Sequence, residues 1–189
     1  MKISDFDVNN AYRFLYPRLT VIVTSGTINE PCGLTIAWST PLSVDPPLIG
    51  VSITKKRFSH NIIKKAKSFV VNIPHIELKE GTHHIGQISG RDEPDKLHIA
   101  GFTLEESVKV IAPRLNECKI NIECKLVDII TTGDHDLFIG EVQNVLADPD
   151  IIDDWATDLT NFQPIYWRRS KFSKEVYQLY LPTEEDSNE

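Results

Sequence analysis

The sequence lacks the usual features of secreted and membrane-spanning proteins. Its three cysteines form an odd set without regular spacing, which argues against a disulfide framework. No apolar run approaches the roughly 20 residues that a membrane span requires, and the first residues lack the basic-then-apolar pattern of a signal peptide. We therefore expect a cytoplasmic protein with no membrane partner.

Common catalytic and metal-binding motifs are also missing. No cysteine belongs to a Cys-x-x-Cys pair, and no spacing of histidines and carboxylates completes a zinc set, so we expect no metal. The sequence contains neither a catalytic triad nor a pair of acid–base carboxylates. It also has no Gly-x-Gly-x-x-Gly fingerprint, so any nicotinamide nucleotide would have to bind in an open groove.

What is present is a series of short strands in a chain of 189 residues, a length that fits a single domain spanning residues 1–189. We place the core at about residues 10–150, followed by a C-terminal extension over 151–189. The predicted strands are residues 19–24, 33–39, 48–53, 69–73, 119–130 and 136–146. Because they do not alternate regularly with helices, they favour a mainly β, antiparallel barrel over a parallel α/β sheet.

The segments between the strands complete this picture. Residues 77–88 and 95–100 are predicted to form short helices inserted over the barrel, and residues 113–115 to form a loop. Residues 132–135 are predicted to form a hairpin loop. Along 121–128 apolar residues fall on every second position, which predicts one buried and one solvated face.

The charge is unevenly distributed. The formal net charge is −7, yet residues 55–67 contain six of the twenty Lys and Arg residues. A local cationic cluster on an acidic protein favours a small anionic ligand over nucleic acid. Ser59 is predicted to cap a helix whose free N–H groups would attract a phosphate. Alternatively, Lys64, Lys65 and Lys67 form the solvated face of that helix.

Six motifs in order give a resemblance to the flavin reductase-like family, whose fold is the FMN-binding split barrel, a Greek-key antiparallel β-barrel. The resemblance covers roughly residues 10–150. It is carried by Thr35-Ile36-Ala37-Trp38-Ser39, by Asp45-Pro46-Pro47 with strand 48–53, by Arg57-Phe58-Ser59-His60-Asn61-Ile62, by 69–74, by Ser89-Gly90-Arg91-Asp92 with Asp95-Lys96, and by 133–142.

The resemblance implies a homodimer with FMN near the subunit interface. In that arrangement the flavin ring would lie along Thr35, Ile36, Ala37, Trp38 and Ser39. The ribityl chain and phosphate would be held by Ser52, Thr54, Arg57, Ser59 and Asn61. Ser89, Gly90, Arg91 and Lys96 would come near the flavin edge, and His135 would be the catalytic residue beside the pyrimidine or the nicotinamide.

Each of these roles has a simpler alternative. Trp38 on a buried strand could belong to the core, and His135 could be a solvated turn residue. Lys96 could pair with Asp95 or Asp92 at the surface, and Gly90 could mark a tight turn.

The sequence departs from the family pattern in two places. Many relatives carry Asn where this chain has Cys32, so a side-chain hydrogen bond to the flavin from that position is in doubt. Tyr166-Trp167-Arg168-Arg169 replaces a glycine-containing segment that we expected after the barrel. It could form a dimer contact, form a lid over the flavin, or pack on the barrel.

The leading functional hypothesis is a flavin reductase that takes hydride from NADH or NADPH and passes electrons to a second acceptor, either free flavin or an acceptor protein. The main alternative is a flavoredoxin-type FMN electron carrier that uses no nicotinamide. A third interpretation, a small barrel that binds nucleic acid, is disfavoured by the acidic charge.

Overall fold

The computed structural model describes residues 7–152, 157–167 and 176–177. The strands are β1 (Arg18–Leu19), β2 (Val21–Gly26), β3 (Pro31–Ile36), β4 (Ser39–Ser43), β5 (Leu48–Thr54), β6 (Ser68–Ile73), β7 (Leu104–Glu105), β8 (Arg114–Leu115), β9 (Ile120–Thr131), β10 (His135–Ala147), β11 (Tyr166–Trp167) and β12 (Val176–Tyr177). The α-helices are α1 (Phe58–Ala66), α2 (Lys79–Gln87) and α3 (Lys96–Ile99), and 3₁₀ turns cover Val8–Leu15, Ile76–Leu78 and Pro149–Ile151. None of the helices in these residues has the length and hydropathy that a membrane span requires.

A seven-stranded antiparallel sheet forms the centre of the fold, with strand order β3-β2-β6-β9-β10-β5-β4. This confirms the prediction of a mainly β, antiparallel structure with short helical insertions.

The predicted single strand over 33–39 is wrong, because β3 ends at Ile36 and β4 begins at Ser39. At residues 37–38 the chain changes its pairing partner from β2 to β5, and the Ser52 amide donates to the Trp38 carbonyl at 2.9 Å. Closure of the sheet into a barrel stays a prediction.

Apolar side chains cover both faces of the sheet. One core is formed by side chains of β2, β3, β5, β6, β9 and β10 with α1, and a second lies between the opposite face of β2 and the helices α2 and α3. In the first core the ring of Phe69 packs directly on Gly140, where an added Cβ would lie 2.5 Å from Phe69 Cζ. The helical insertions therefore supply the second apolar layer that a two-faced sheet needs.

A buried amide network attaches residues 101–118 to the sheet. Asn72 on β6 is fully buried, and its Nδ2 donates to Ile22 O and Thr24 Oγ1, both at 2.9 Å. Its Oδ1 accepts from Leu115 N at 3.0 Å and from Asn121 Nδ2 at 2.9 Å. One side chain thus connects three segments that are far apart in sequence.

The solvated face predicted for 121–128 is wrong in its first half, since Asn121 is 3% exposed and Glu123 is fully buried. Residues 101–118 cover this face, and the Glu123 carboxylate accepts from Val108 N at 2.9 Å and Lys109 N at 2.6 Å. Buried polar groups need such partners. The loop predicted at 113–115 is also wrong, because Arg114 and Leu115 form β8, which pairs with β7 in the same covering segment.

Helix α1 begins two residues earlier than predicted, at Phe58. Arg57 occupies the N-cap position without a side-chain capping bond, so the prediction that Ser59 caps the helix is wrong. Ser59 lies inside the first turn and is 4% exposed. The helix ends at Ala66, and the C-cap residue Lys67 has a left-handed backbone (φ 56°) and donates its N–H to Ile63 O. The predicted hairpin between β9 and β10 is confirmed, although His135 is already the first residue of β10.

Candidate functional site

A cavity of about 250 Å³ lies beside the junction of β3 and β4, and we call it the Trp38 cavity. Its floor is the backbone and side chains of residues 35–38. Helix α2 forms one wall because Thr82, His83, Gly86 and Gln87 recur at helical spacing and face the strand. Close approach is possible because Gly86 has no Cβ, which would lie 3.2 Å from Thr35 Cβ.

Aromatic rings stand on two sides of the Trp38 cavity. The Trp38 indole N–H donates to Tyr16 Oη at 3.0 Å, and the ring of His135 lies 4.8 Å from the indole ring at a tilt of 36°. On the other side His83 and Trp167 stack with centroids 6.5 Å apart. The cavity is therefore bounded by flat apolar surfaces, which suit a planar aromatic ligand.

Two hydroxyl groups at this cavity have no hydrogen-bond partner in the part of the chain that the structure describes. Thr20 and Thr82 are 2% and 0% exposed, and their Oγ1 atoms make no hydrogen bond within the described residues. Both residues line the cavity. Because buried polar atoms are normally paired, these hydroxyls are available to a polar ligand or to water.

A second cavity, of about 110 Å³, lies at the start of α1, and we call it the Ser59 cavity. It is lined by Lys56, Arg57, Ser59, Ser89 and Gly90, together with Cys32, Gly33, Leu34, Phe58, Ile88 and Lys96. Ser59 Oγ is buried and has no hydrogen-bond partner within the described residues. Cationic side chains, a free hydroxyl and the first turn of a helix are the groups that bind phosphate.

Arg57 lines both cavities, so the two spaces meet at its side chain. The site therefore has an aromatic end and a cationic end joined along β3. An elongated ligand with a flat ring at one end and an anion at the other matches this arrangement.

Lys96 is buried at the back of the Ser59 cavity, with 4% exposure. Its Nζ donates to the carbonyl oxygens of Ile85 at 2.8 Å and Ile88 at 2.6 Å, which lie at the C-terminal end of α2. Burial lowers the pKa of its ammonium, and the nearby Cys32 thiol opposes that shift. Burial raises the pKa of Cys32 to about 11, so that thiol is protonated at neutral pH.

A family profile described as "Flavin reductase like domain" matches residues 12–174. This chain belongs to the flavin reductase-like family. An uncharacterized protein of Archaeoglobus fulgidus is 41% identical over 139 residues, covering 74% of this chain and 77% of that protein. The NADH:FMN oxidoreductase of Rhodococcus qingshengii is 28% identical over 135 residues, covering 71% and 67%. Among solved structures, the flavoredoxin of Desulfovibrio vulgaris (Miyazaki F) aligns over 100% of both chains with a TM-score of 0.81 and 26% identity. The resemblance inferred from the motifs is therefore confirmed.

The flavin reductase-like chain brings most of the predicted site residues to the two cavities. The Trp38 cavity contains Thr35, Ile36, Ala37, Trp38 and Arg57, and the Ser59 cavity contains Arg57, Ser59, Ser89, Gly90 and Lys96. Lys96 was expected near the flavin edge or paired with Asp95 or Asp92. Instead it is buried at the cationic end, where it binds backbone carbonyls of α2.

The remaining predicted residues lie around the cavities rather than in their described walls. Ser52, Thr54 and His135 are grouped beside Trp38, because Thr54 and Ser52 pair with His135 and Leu137 across β5 and β10. Arg91 lies over the ring of Phe58, with its Cζ 5.8 Å from the centroid. Ser39 begins β4 beyond the Trp38 cavity, and Asn61 is exposed on α1.

Several lining residues were not predicted. Tyr16 and Thr20 precede the first motif, and Thr82 and His83 lie on α2, which was treated as a simple insertion. The helical spacing of Thr82, His83, Gly86 and Gln87 was the available signal. Of the Tyr166–Arg169 segment, Trp167 lines the Trp38 cavity and pairs through β11 with β1. Arg168 and Arg169 lie outside the described residues.

Proposed function

We propose that this protein binds FMN with the flavin ring in the Trp38 cavity and the phosphate in the Ser59 cavity. The observation that carries the proposal is the Ser59 hydroxyl, which has no hydrogen-bond partner among the described residues and lies at the cationic end of a space that continues, past Arg57, to an aromatic end. In support, the Thr20 and Thr82 hydroxyls, also without a partner in the described part of the chain, could bind the polar edge of a ring. The name of the Rhodococcus oxidoreductase is consistent with this ligand.

The reaction we propose is that of an NAD(P)H-dependent flavin reductase. Bound FMN would supply hydride acceptance at N5 and onward transfer of electrons to a second acceptor. The protein residues would bind and orient the two reactants: Trp38 and His83 by ring contacts, and Arg57 by charge. His135 is held by a hydrogen bond between its Nδ1 and Asp134 Oδ1 at 2.8 Å, which leaves Nε2 as the nitrogen available for a further hydrogen bond.

The alternative is a flavoredoxin-type carrier that exchanges electrons with proteins and uses no nicotinamide. The flavoredoxin structure that aligns over the whole of both chains favours this alternative. Both functions use the same flavin site, so they differ only in whether a nicotinamide reaches the ring.

We further propose a homodimer formed by the outer face of β4, β5, β10 and β9. Leu42 and Leu137 meet over Gly50, where an added Cβ would lie 2.9 Å from each side chain. Ile130 pairs with Leu137 across the ladder, and Leu42 and Ile130 are 42% and 46% exposed. An apolar sheet face of this kind favours burial against another protein. Trp38 and His135 lie at the edge of this face, which would put the flavin near the interface.

Anaerobic absorbance spectroscopy tests the function. The purified protein is mixed with FMN, freed of excess flavin, and then treated with NADH and separately with NADPH. Bleaching of bound flavin by either nucleotide supports the reductase, whereas bound flavin that stays oxidised with both favours the carrier. If no flavin can be bound at micromolar concentration, the proposal is wrong.

Light scattering of the wild type and of Ile130→Glu tests the dimer, and we expect the variant to be monomeric.

A further inference from the structure

Asp136 is a buried carboxylate directly behind the cationic end of the site. It follows His135 on β10 and is 5% exposed. Its side chain is on the face opposite to that of His135, because successive residues of a strand point to opposite sides. It therefore lies on the face of β10 that carries Phe138 of the first core, next to His60 in the first turn of α1.

One carboxylate contacts both ends of a six-residue segment. Asp136 Oδ2 lies 2.8 Å from His60 Nε2, and Asp136 Oδ1 lies 3.5 Å from Lys55 Nζ. Between these two contacts the chain turns, with Arg57 N donating to Thr54 O at 3.0 Å and His60 N to Arg57 O at 3.1 Å. Lys56, Arg57 and Ser59, which line the Ser59 cavity, belong to this turn.

The His60 contact is held rigidly. The side chains of His60 and Asp136 are each 8% exposed, and the imidazole packs edge-on against Phe138 with centroids 5.0 Å apart. Phe138 is two residues after Asp136 on the same face of β10. The hydrogen bond from His60 lowers the pKa of Asp136 against the opposing effect of burial, and smaller effects of Thr131 and Lys55 lower it further, so Asp136 is ionised at neutral pH.

We propose that Asp136 is a positioning residue that holds the anion-binding turn of residues 55–60 in the conformation that binds a phosphate. The inference rests on the proposed function, because it concerns the same phosphate. Asp136 itself does not line the described walls of the Ser59 cavity and acts through Lys55 and His60.

Two roles of Asp136 predict opposite effects of its removal. As a negative charge near the cationic turn, Asp136 reduces the attraction for an anion, so neutralising it would strengthen FMN binding. As a positioning residue, its loss would let the turn relax and weaken FMN binding. Hydrogen bonds to charged groups are strong enough that the loss of positioning should outweigh the gain in attraction for the anion. We therefore expect FMN to bind about tenfold more weakly.

The test compares FMN with riboflavin, which has the same ring but no phosphate. Dissociation constants for both are measured by fluorescence quenching with the wild type, Asp136→Ala, Asp136→Asn and Asp150→Ala. Asp136→Asn keeps an oxygen that can accept from His60 and protects the test if the alanine variant does not fold. Asp150→Ala is the matched control, because Asp150 is an exposed carboxylate outside the described walls of both cavities.

We expect Asp136→Ala to weaken FMN binding about tenfold and riboflavin binding less than about twofold, with Asp136→Asn intermediate and Asp150→Ala unchanged. Equal losses for FMN and riboflavin would mean a general structural role and would overturn the proposal, as would tighter FMN binding by Asp136→Asn. If the wild type binds FMN and the Asp136 variants bind it equally well, only the positioning role fails. If the wild type binds no FMN, both proposals fail.

Discussion

Replacing Asn72 by leucine should cost a large part of the stability of this protein. The side chain is fully buried, so the substitution nearly preserves volume but removes every hydrogen bond of the amide. Two donors, Leu115 N and Asn121 Nδ2, lose the Oδ1 acceptor, although Asn121 Nδ2 keeps a second bond to Leu115 O at 3.1 Å. A buried donor left without a partner costs about 1–3 kcal/mol.

We therefore expect Asn72→Leu to lower the free energy of unfolding by about 2–4 kcal/mol, allowing one full loss at Leu115 N and a partial one at Asn121. That is a substantial share of the roughly 5–15 kcal/mol of a typical domain. Urea denaturation followed by intrinsic fluorescence measures the change, with the slope of the transition checked for two-state behaviour.

Asn116→Leu is the matched control, since it makes the same substitution at an exposed position of the segment that Asn72 attaches to the sheet. It should change the stability by less than about 0.5 kcal/mol. A loss below about 1 kcal/mol for Asn72→Leu would refute the reasoning, because it would mean that the orphaned donors find other partners or water. A double-mutant cycle with Asn121→Leu would then show how much of the loss belongs to the Asn72–Asn121 hydrogen bond.

Three further outcomes follow from features of the core and the site. Gly140→Ala should destabilise the protein by about 1–3 kcal/mol, because the added Cβ would overlap the ring of Phe69. Thermal unfolding should show that Phe69→Leu restores part of this lost stability. All three cysteines are buried, and the pKa of Cys32 is raised to about 11. A disulfide reagent at pH 8 should therefore modify no thiol in the folded protein and three thiols in guanidinium, and rapid labelling before unfolding would contradict this burial. Folding lowers the pKa of Asp136, so its ionised form stabilises the folded state at pH values above the ordinary aspartate pKa of about 4. This contribution to the free energy of unfolding is lost as the pH falls through the lowered pKa. The difference in melting temperature between wild type and Asp136→Asn should accordingly shrink on acidification below about pH 4, and a constant difference would argue against it.

The sequence predicted those parts of the fold and site that depend on local pattern. The hairpin at 132–135 and strand β5 followed from turn residues and apolar runs, and the cationic turn around Arg57 followed from charge clustering. These features need no knowledge of what lies across from them in space.

The parts that could not be predicted depend on tertiary contacts. Asn121 and Glu123 have the alternation of a solvated face, and only the covering of that face by residues 101–118 makes them buried. Lys96 follows a charged stretch that suggests exposure, yet it fits under the end of α2, where carbonyl oxygens accept from it. Similarly, nothing local to Thr20 or His83 indicates that β1, β3 and α2 meet around one cavity.

The two-residue step at 37–38 limits how the length of this chain can change during evolution or design. One inserted residue there would reverse the alternation of β4 relative to β5, turning Leu42 away from Gly50 and moving Trp38 with respect to His135. The turn at residues 132–134 carries no such register constraint, because it is exposed and lies beyond the last pair of β9 and β10, Thr131 with Asp136. Length variation among relatives, and loops grafted by engineers, should therefore concentrate at the hairpin and be rare at the step.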